Sequence, residues 1–533
     1  MLQMLESQGI ARVFGLPGVH NLPFWDSEVG PRIIGVRHEQ AAGYAADGMA
    51  RTTGSLGVAL TTTGPGAMNV LAAFGEAAVS HSALIVIASD VSTALRREVP
   101  RGILHEMRDQ AAPFAGMASD DGTLAVNCTS DVEAIEALAL ALAHFEAYGE
   151  VAAYIGVPTD VLASTTTHAA ASMLQRAGLP DLSAARERLQ GCQRPLVWLG
   201  GGTTRFCDRP EGLAVLRDFV ERLGAPVVTT FAARGVLAGH PQLVDAPIHE
   251  PEVHAILAQA DCLVVLGSDF DGMNTRNWRM PVPETVITVN HAAEPIRTNL
   301  PHALHLLGDL GLLAGLTQTL AARAPWHHQP NLLPALRARL RSDPRGQAGL
   351  RFVESVERAW PADAVIAADM CVAGYWLAGY AQQPRPRRLA YPVGWGTLGF
   401  ALPAAIGPAS AGIATLAVCG DGGAMFALGE LATLVQERLP ITLLINDDAG
   451  YGMLRFDQRT YGHPERGVDL TTPDWLALAS AFGIDGVEVL EHELEGALHW
   501  AHARNQLGHP ALILTRTRLT PPRTTSPRWN EAM

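Results

Sequence analysis

Residues 415–456, TLAVCGDGGAMFALGELATLVQERLPITLLINDDAGYGMLRF, constrain the fold of this chain more than any other stretch. An apolar run over 415–419 reads as a buried strand and breaks at Gly420-Asp421-Gly422. The spacing of Met425, Leu428, Leu431, Leu434 and Val435 predicts a helix over 425–437, closed by Pro440. A second buried strand over 441–445 then delivers the chain to Asn446-Asp447-Asp448. Strand, helix, strand with acids at the carboxyl ends of both strands is a unit of an open parallel sheet, and ligands bind at that edge. There Gly420, Gly422 and Gly423 let backbone N–H groups approach an anion where a helix begins. A hard cation takes carboxylate, carbonyl and phosphate oxygens together, so Asp421 and Asp448 are candidate ligands for a metal that bridges a diphosphate.

A lone Gly-Asp-Gly marks many ordinary turns, but GDG after one strand and NDDAGYG after the next is a far more specific combination. The pair resembles the thiamine diphosphate (ThDP) signature of the superfamily that holds acetolactate synthase, benzoylformate decarboxylase and pyruvate decarboxylase. The resemblance implies Mg²⁺ bound by Asp421, Asp448 and the carbonyl of Gly450, with Gly420, Gly422, Gly423, Tyr451 and Gly452 around the cofactor. The usual second ligand is Asn, so Asp448 makes the site one charge more negative. A loop shifted by one residue would place Asp447 there instead.

At 533 residues the chain is too long for one core. A composition 48% hydrophobic and 17% charged reads as compact α/β protein. The net charge of −14 argues against non-specific nucleic-acid binding. No apolar run reaches the length of a membrane span, and the first residues lack a basic stretch followed by an apolar core. Six cysteines show no CxxC or zinc spacing and suit free thiols in a reducing compartment, so the expectation is a cytoplasmic protein.

Strand-like runs at 13–16, 33–36, 57–60 and 84–88 alternate with helical ones, ending with a helix over 137–147 and a strand over 151–156. Between them lies RHEQAAGYAADG, in which Glu39 sits at a strand end, before an Ala/Gly-rich helix. On its own Glu39 is an acid in a helix's first turn, a favourable place for a carboxylate. In this setting it resembles the family's catalytic Glu, whose carboxyl group bonds ring N1′ of ThDP and shifts the aminopyrimidine towards the imino tautomer that removes the C2 proton. Val19 and Leu60 stand where some decarboxylases place a Ser or Asp and a His, so those proton-relay roles do not transfer. His81 reads as structural. The loop RGILHEMRDQ, 101–110, resembles a subgroup that includes 5-guanidino-2-oxopentanoate decarboxylase. Asp90, Glu106 and Asp109 are expected either to line the mouth of a partner's site, suiting a cationic substrate tail, or to pair with Arg96, Arg97, Arg101 and Arg108.

The expected organisation is three doubly wound parallel-sheet α/β domains. They are a pyrimidine-binding domain over 1–163, a central Rossmann-like domain over 172–325, and a diphosphate- and Mg²⁺-binding domain over 341–520. The Ala/Thr/Ser stretch 163–171 reads as a linker. Central-domain strands are expected at 195–199, 227–231, 262–266 and 286–289, with Gly200-Gly201-Gly202 after the first. GSDFD at 267–271 only partly resembles flavin-binding versions, so FAD is disfavoured. In the third domain a strand over 365–368 leads to Met370 and Cys371, which by resemblance face the diphosphate. GWGTLGFALPAAIG, 394–407, is a second long match: the Gly396 carbonyl would accept from the cofactor's 4′-amino group, and Leu398 would wedge between its two rings.

The resemblance implies a ThDP- and Mg²⁺-dependent enzyme that decarboxylates a small 2-oxo acid through a C2 carbanion–enamine. Protonation gives an aldehyde; the alternative is carboligation to a second 2-oxo acid, as in acetolactate synthase. Phe456 stands where acetolactate synthases usually carry a Trp that helps select the second acid, which favours the decarboxylase. It also implies a homodimer or homotetramer with active sites between chains, and no nucleic-acid or membrane partner.

Overall fold

The computed structural model describes residues 1–117, 123–166, 178–328 and 330–522. Part of the expected 163–171 linker, the expected start of the second domain at 172, and the end of the C-terminal tail lie outside them. The chain forms three α/β domains, each around an all-parallel sheet. The first sheet contains β1 (Arg12–Gly15), β2 (Arg32–Gly35), β3 (Gly57–Thr61), β4 (Ala83–Asp90), β5 (Thr123–Asn127) and β6 (Val151–Pro158), in the order β2-β1-β3-β4-β6-β5. The second contains β7 (Pro195–Leu199), β8 (Val227–Thr229), β9 (Cys262–Leu266), β10 (Thr285–Asn290) and β11 (Leu304–Leu307), in the order β11-β10-β9-β7-β8. The third contains β12 (Val365–Ala368), β13 (Leu389–Ala390), β14 (Thr415–Gly420), β15 (Ile441–Asn446), β16 (Asp485–Val489) and β17 (Ala511–Thr515), in the order β13-β12-β14-β15-β17-β16.

Interior strands such as β4 and β15 are buried along their whole length, as strands covered by helices on both faces must be. The helix predicted over 425–437 is divided. A short helix, Asp421–Ala424, gives way to a 3₁₀ turn, Met425–Ala427, and the α-helix resumes at Glu430–Gln436. Met425 and Phe426, half-exposed, do not share the buried face of Leu431 and Leu434. The restart after Gly429 aims the buried Glu430 carboxylate at the first domain, where it accepts from Arg37 N–H at 2.9 Å.

The first and third domains are locked by a helix crossing. Helix Glu39–Thr53 runs so close to helix Ala401–Ser410 that a Cβ on Gly48 would lie 2.0 Å from the Ala404 carbonyl oxygen. Beside it Arg51 donates to Asp47 at 2.8 Å, to Glu76 at 3.1 Å and to the Tyr391 carbonyl at 3.0 Å. Burial opposes the Arg51 charge, but Asp47 and Glu76 outweigh that and raise its pKa. Glu76 also accepts from Trp395 N–H at 2.9 Å, and Tyr44 bonds Thr397 at 2.6 Å, so the first domain grips the 394–397 loop of the third. Replacing Gly48 by Ala forces a methyl into backbone that cannot yield; a loss of about 2 kcal/mol is expected, read as a lowered denaturation midpoint.

The first and central domains meet at His81, which has a left-handed backbone, φ 53°. Its Nε2 lies 2.5 Å from Asp269 and its Nδ1 3.3 Å from Glu150, while His291 reaches Glu150 at 2.7 Å. Glu150 and Asp269 together raise the His81 pKa well above 6.5 against its burial. Burial works against the Glu150 carboxylate, but His81 and His291 hold its pKa below the ordinary range. A raised His pKa stabilises the fold below the unfolded value and is lost as pH rises through the folded one; a lowered Glu pKa is the reverse. Amide exchange around 267–271 is therefore expected to stay slow through neutral pH and to rise on the alkaline side. His81→Asn should show the faster exchange already at neutral pH, and equal protection in both proteins would contradict this role for His81.

Candidate active site

Strands β12, β14 and β15 lie side by side, Ala368 level with Val418 and Gly420 level with Asn446. The register therefore delivers Asp369, Asp421 and the Asp447-Asp448 pair to one carboxyl edge, and the three strand ends treat their acids differently. Asp369 is fully buried and accepts from the N–H groups of Gly399 at 3.1 Å and Phe400 at 3.0 Å. Burial pushes its pKa up to about 6 against those donors. It thereby fixes the loop that carries Gly396, in a left-handed conformation at φ 73°, and the half-buried Leu398. Asp369 was not singled out from the sequence, although a lone Asp at a strand end is the signal that exposed Asp421.

Asp447 is the satisfied member of its pair. Its Oδ2 accepts from Thr472 at 3.0 Å, Trp475 at 3.0 Å and Arg516 at 2.8 Å, and its Oδ1 from Ala449 N–H at 2.9 Å. Asp448 points elsewhere. Its Oδ2 is 3.6 Å from Arg455, and a Cβ on Gly452 would lie 2.4 Å from the same oxygen. Arg455 also donates to the carbonyls of Asp448 and Ala449, pinning the turn that contains Gly450 and Tyr451.

Asp421 is 1% exposed, and neither of its carboxylate oxygens has a hydrogen bond of normal geometry. Burial, then Asp448 and Asp447, push its pKa up to about 6, offset only partly by the nearby N–H groups of Gly422 and Gly450. Two unsatisfied buried carboxylate oxygens are costly unless a cation takes them. Among the described residues no three His, Cys, Asp or Glu side chains form a ready-made metal cage. Two carboxylates and a main-chain carbonyl leave further positions for ligand oxygens, the pattern of a hard cation shared with a phosphate group. The donor chemistry at this edge thus fits a metal–diphosphate pair. Cys371 caps the next helix, Val372–Tyr380, with its Sγ accepting from Gly374 N–H, and Met370 precedes it on the same edge.

Glu39 lies at the corresponding edge of the first domain, as the first residue of its helix, buried, with Oε2 accepting from Asn69 at 2.9 Å. Asn69 is a second residue whose task the sequence did not show. The acids of the 90–110 region are mostly occupied locally. Asp90 pairs with Arg96, Glu106 Oε2 accepts three backbone N–H groups from Arg101, Gly102 and Ile103, and Asp109 Oδ1 accepts from Ala111, Ala112 and Asn127. The expected carboxylate-rich mouth is therefore not what these side chains build. A cavity of about 920 Å³ lies elsewhere, at the carboxyl edge of the central sheet, lined by residues such as Gly202, Arg205, Ser268 and Asn290.

The fold and this edge define an enzyme built to hold a diphosphate cofactor between two α/β domains. The chain belongs to the thiamine pyrophosphate enzyme family: residues 1–112 match its N-terminal TPP binding domain, 182–318 its central domain and 369–514 its C-terminal TPP binding domain. It is 32% identical over 511 residues to the probable 2-ketoarginine decarboxylase AruI of Pseudomonas aeruginosa, covering 91% of this chain and 87% of that one. Acetolactate synthase of Mycobacterium bovis is 29% identical over 546 residues, covering 95% and 85%. The acetolactate synthase isozyme 2 large subunit of Escherichia coli is 28% identical over 530 residues, covering 93% and 92%. No helix among the described residues is long and apolar enough to cross a membrane.

The two aspartates separate in a titration. With Mg²⁺ present, Asp421→Asn is expected to weaken ThDP binding by about 100-fold, the loss of one charged ligand on the order of 3 kcal/mol. Asp447→Asn should leave binding within a few-fold and instead lower stability by about 1–3 kcal/mol, because Arg516 loses its partner. The reverse pattern would move the metal ligand to Asp447.

Proposed function

We propose that this protein is a ThDP- and Mg²⁺-dependent decarboxylase that converts a 2-oxo acid to an aldehyde and CO₂. The observation that carries the reading is Asp421, whose two buried oxygens have no hydrogen bond of normal geometry beside Asp448 at the carboxyl edge of a parallel sheet. Asp421, Asp448 and the Gly450 carbonyl would hold the Mg²⁺. The backbone of Gly420, Gly422 and Gly423, with Met370, Cys371, Tyr451 and Gly452, would surround the diphosphate, while the Gly396 carbonyl and Leu398 would orient the rings. Glu39 would hold a proton at ring N1′. Bound there, ThDP supplies the sink for the electron pair left when CO₂ departs.

Decarboxylation moves no net electrons, so FAD has no part in this reaction. Trp395, Met425, Phe426 and Leu454, all about half-exposed around the Asp421 loop, suit burial against a second copy of the chain, in a homodimer or a dimer of dimers. The acetolactate synthase relatives support carboligation as a second reading. It differs only in what the carbon freed of CO₂ meets next: a proton or a second carbonyl. AruI's name points to a substrate with a guanidino tail, but the acids of the 90–110 loop are committed to local bonds, so the substrate is left here as a 2-oxo acid.

Pyruvate and 5-guanidino-2-oxopentanoate, each supplied with ThDP and Mg²⁺ and assayed for CO₂ and organic product, test the reaction. Aldehyde equal to CO₂ supports the decarboxylase, and one acetolactate-type product for every two CO₂-yielding substrates supports the carboligase. Glu39→Gln should keep ThDP binding and lose C2–H exchange of the bound cofactor by about 100-fold or more, measured by NMR. Unchanged exchange would remove Glu39 from the chemistry.

A further inference from the structure

The carboxyl edge of the first sheet holds two histidines with no task in the reading above. His20 follows β1, and His105 lies in the 101–110 loop beyond β4. Their rings meet edge to face, centroids 5.4 Å apart and planes at 67°. Nδ1 of each ring is buried without a hydrogen-bond partner.

Both loops pack on the turn that faces Glu39. A Cβ on Gly18 would touch the Thr62 side chain at 2.6 Å, and one on Gly64 would lie 2.6 Å from the His105 carbonyl oxygen. On the same turn a Cβ on Gly66 would lie 2.7 Å from Thr62 Cγ2 and 3.0 Å from Glu39 Oε1. The His20 loop, the His105 loop and the Glu39 carboxylate thus surround residues 62–66.

The His105 loop is built to hold one shape. Glu106 ties its start through three backbone N–H groups. At its end the buried Gln110 accepts from Gly64 N–H at 2.7 Å and donates to the Ser89 carbonyl at 3.0 Å and to Tyr154 Oη at 2.6 Å. His105 itself sits at φ 67°, left-handed, a conformation that a non-glycine residue keeps where its surroundings impose it. Burial, then His105, lowers the His20 pKa. A neutral imidazole carries one N–H and one lone pair, so it can give a proton and take one back.

We propose that His20 and His105 form the proton-delivery pair of this active site, one imidazole giving a proton to the substrate carbon that keeps the electron pair of the broken C–CO₂ bond and the other refilling it from water. The balance is closed. The 2-oxo acid anion loses CO₂, the carbon takes one proton and becomes the aldehyde C–H, and the imidazole regains that proton from solvent; nothing is oxidised or reduced. The inference rests on the decarboxylase reading and deepens it, because a proton source fixed beside the reacting carbon competes with attack on a second carbonyl.

The test uses His105→Asn, since Asn tolerates a left-handed backbone, and His20→Gln. Three readouts separate the steps: ThDP binding and C2–H exchange without substrate, CO₂ release with ferricyanide, and aldehyde formation. Ferricyanide removes the electron pair as two one-electron steps, and water completes a carboxylic acid, so that route needs no proton on carbon. The expected result is unchanged binding and exchange, CO₂ release to ferricyanide near that of the parent, and aldehyde formation lower by about 100-fold. Aldehyde formation within two-fold of the parent in both variants overturns the pair. So does an equal fall in the ferricyanide route, which would place the histidines before CO₂ loss. A parent that binds no ThDP overturns the proposed function first and this inference with it, and the C2–H exchange readout tells that failure from the others.

Discussion

The crossing of helix Glu39–Thr53 over helix Ala401–Ser410 is the contact on which the remaining geometry depends. Gly48 and Gly407 bring the two backbones within reach of each other, and no side chain stands between them to absorb an error. Glu39 begins the first helix, and the 394–400 loop leads directly into the second. A shift in the crossing therefore moves both elements that the family uses at its cofactor. The buried Asp47–Arg51–Glu76 cluster sits beside the crossing and reaches Trp395 N–H, so charge as well as packing fixes the loop. Such a cluster stabilises little in net terms, but losing one member strands the others, typically at about 3–5 kcal/mol.

Three acids at one sheet edge show how burial sorts function from structure. Asp369 spends its carboxylate on the 399–400 backbone and Asp447 spends its own on Thr472, Trp475 and Arg516. Asp421 is as deeply buried and has neither kind of partner. The same desolvation that makes the first two scaffolding makes the third a receptor for positive charge. Asp448 adds its charge from across the turn, held by Arg455 rather than neutralised by it.

The interior strands were legible because a parallel strand covered on both faces must be a continuous apolar run, as in ALIVIASD of β4 and ITLLIN of β15. The strands that escaped notice, β5, β11, β13 and β16, are all edges of their sheets. DGVEV of β16 is half-exposed, and β13 has two residues, too few to carry a period. The break in the helix after Asp421 escaped for a related reason. Met425 falls on the helical spacing but faces outward, and the turn of Gly429 and the pull of Glu430 towards Arg37 belong to another domain.

Spacing along the chain was enough to place Asp421, Asp448 and Glu39 at strand ends, because strand, turn and helix are local and the acids stand within the motifs. It left Asp447 and Asp448 interchangeable, since two adjacent carboxylates differ only in which way each turns. The tertiary structure separated them through Trp475 and Arg516, residues 28 and 69 positions downstream that no local pattern ties to the turn. It also committed the acids at 90, 106 and 109 to nearby donors, and it brought His20 to His105 from opposite ends of the first domain's sheet edge. Local chemistry chose which residues could act; long-range packing chose which of them were left free to do so.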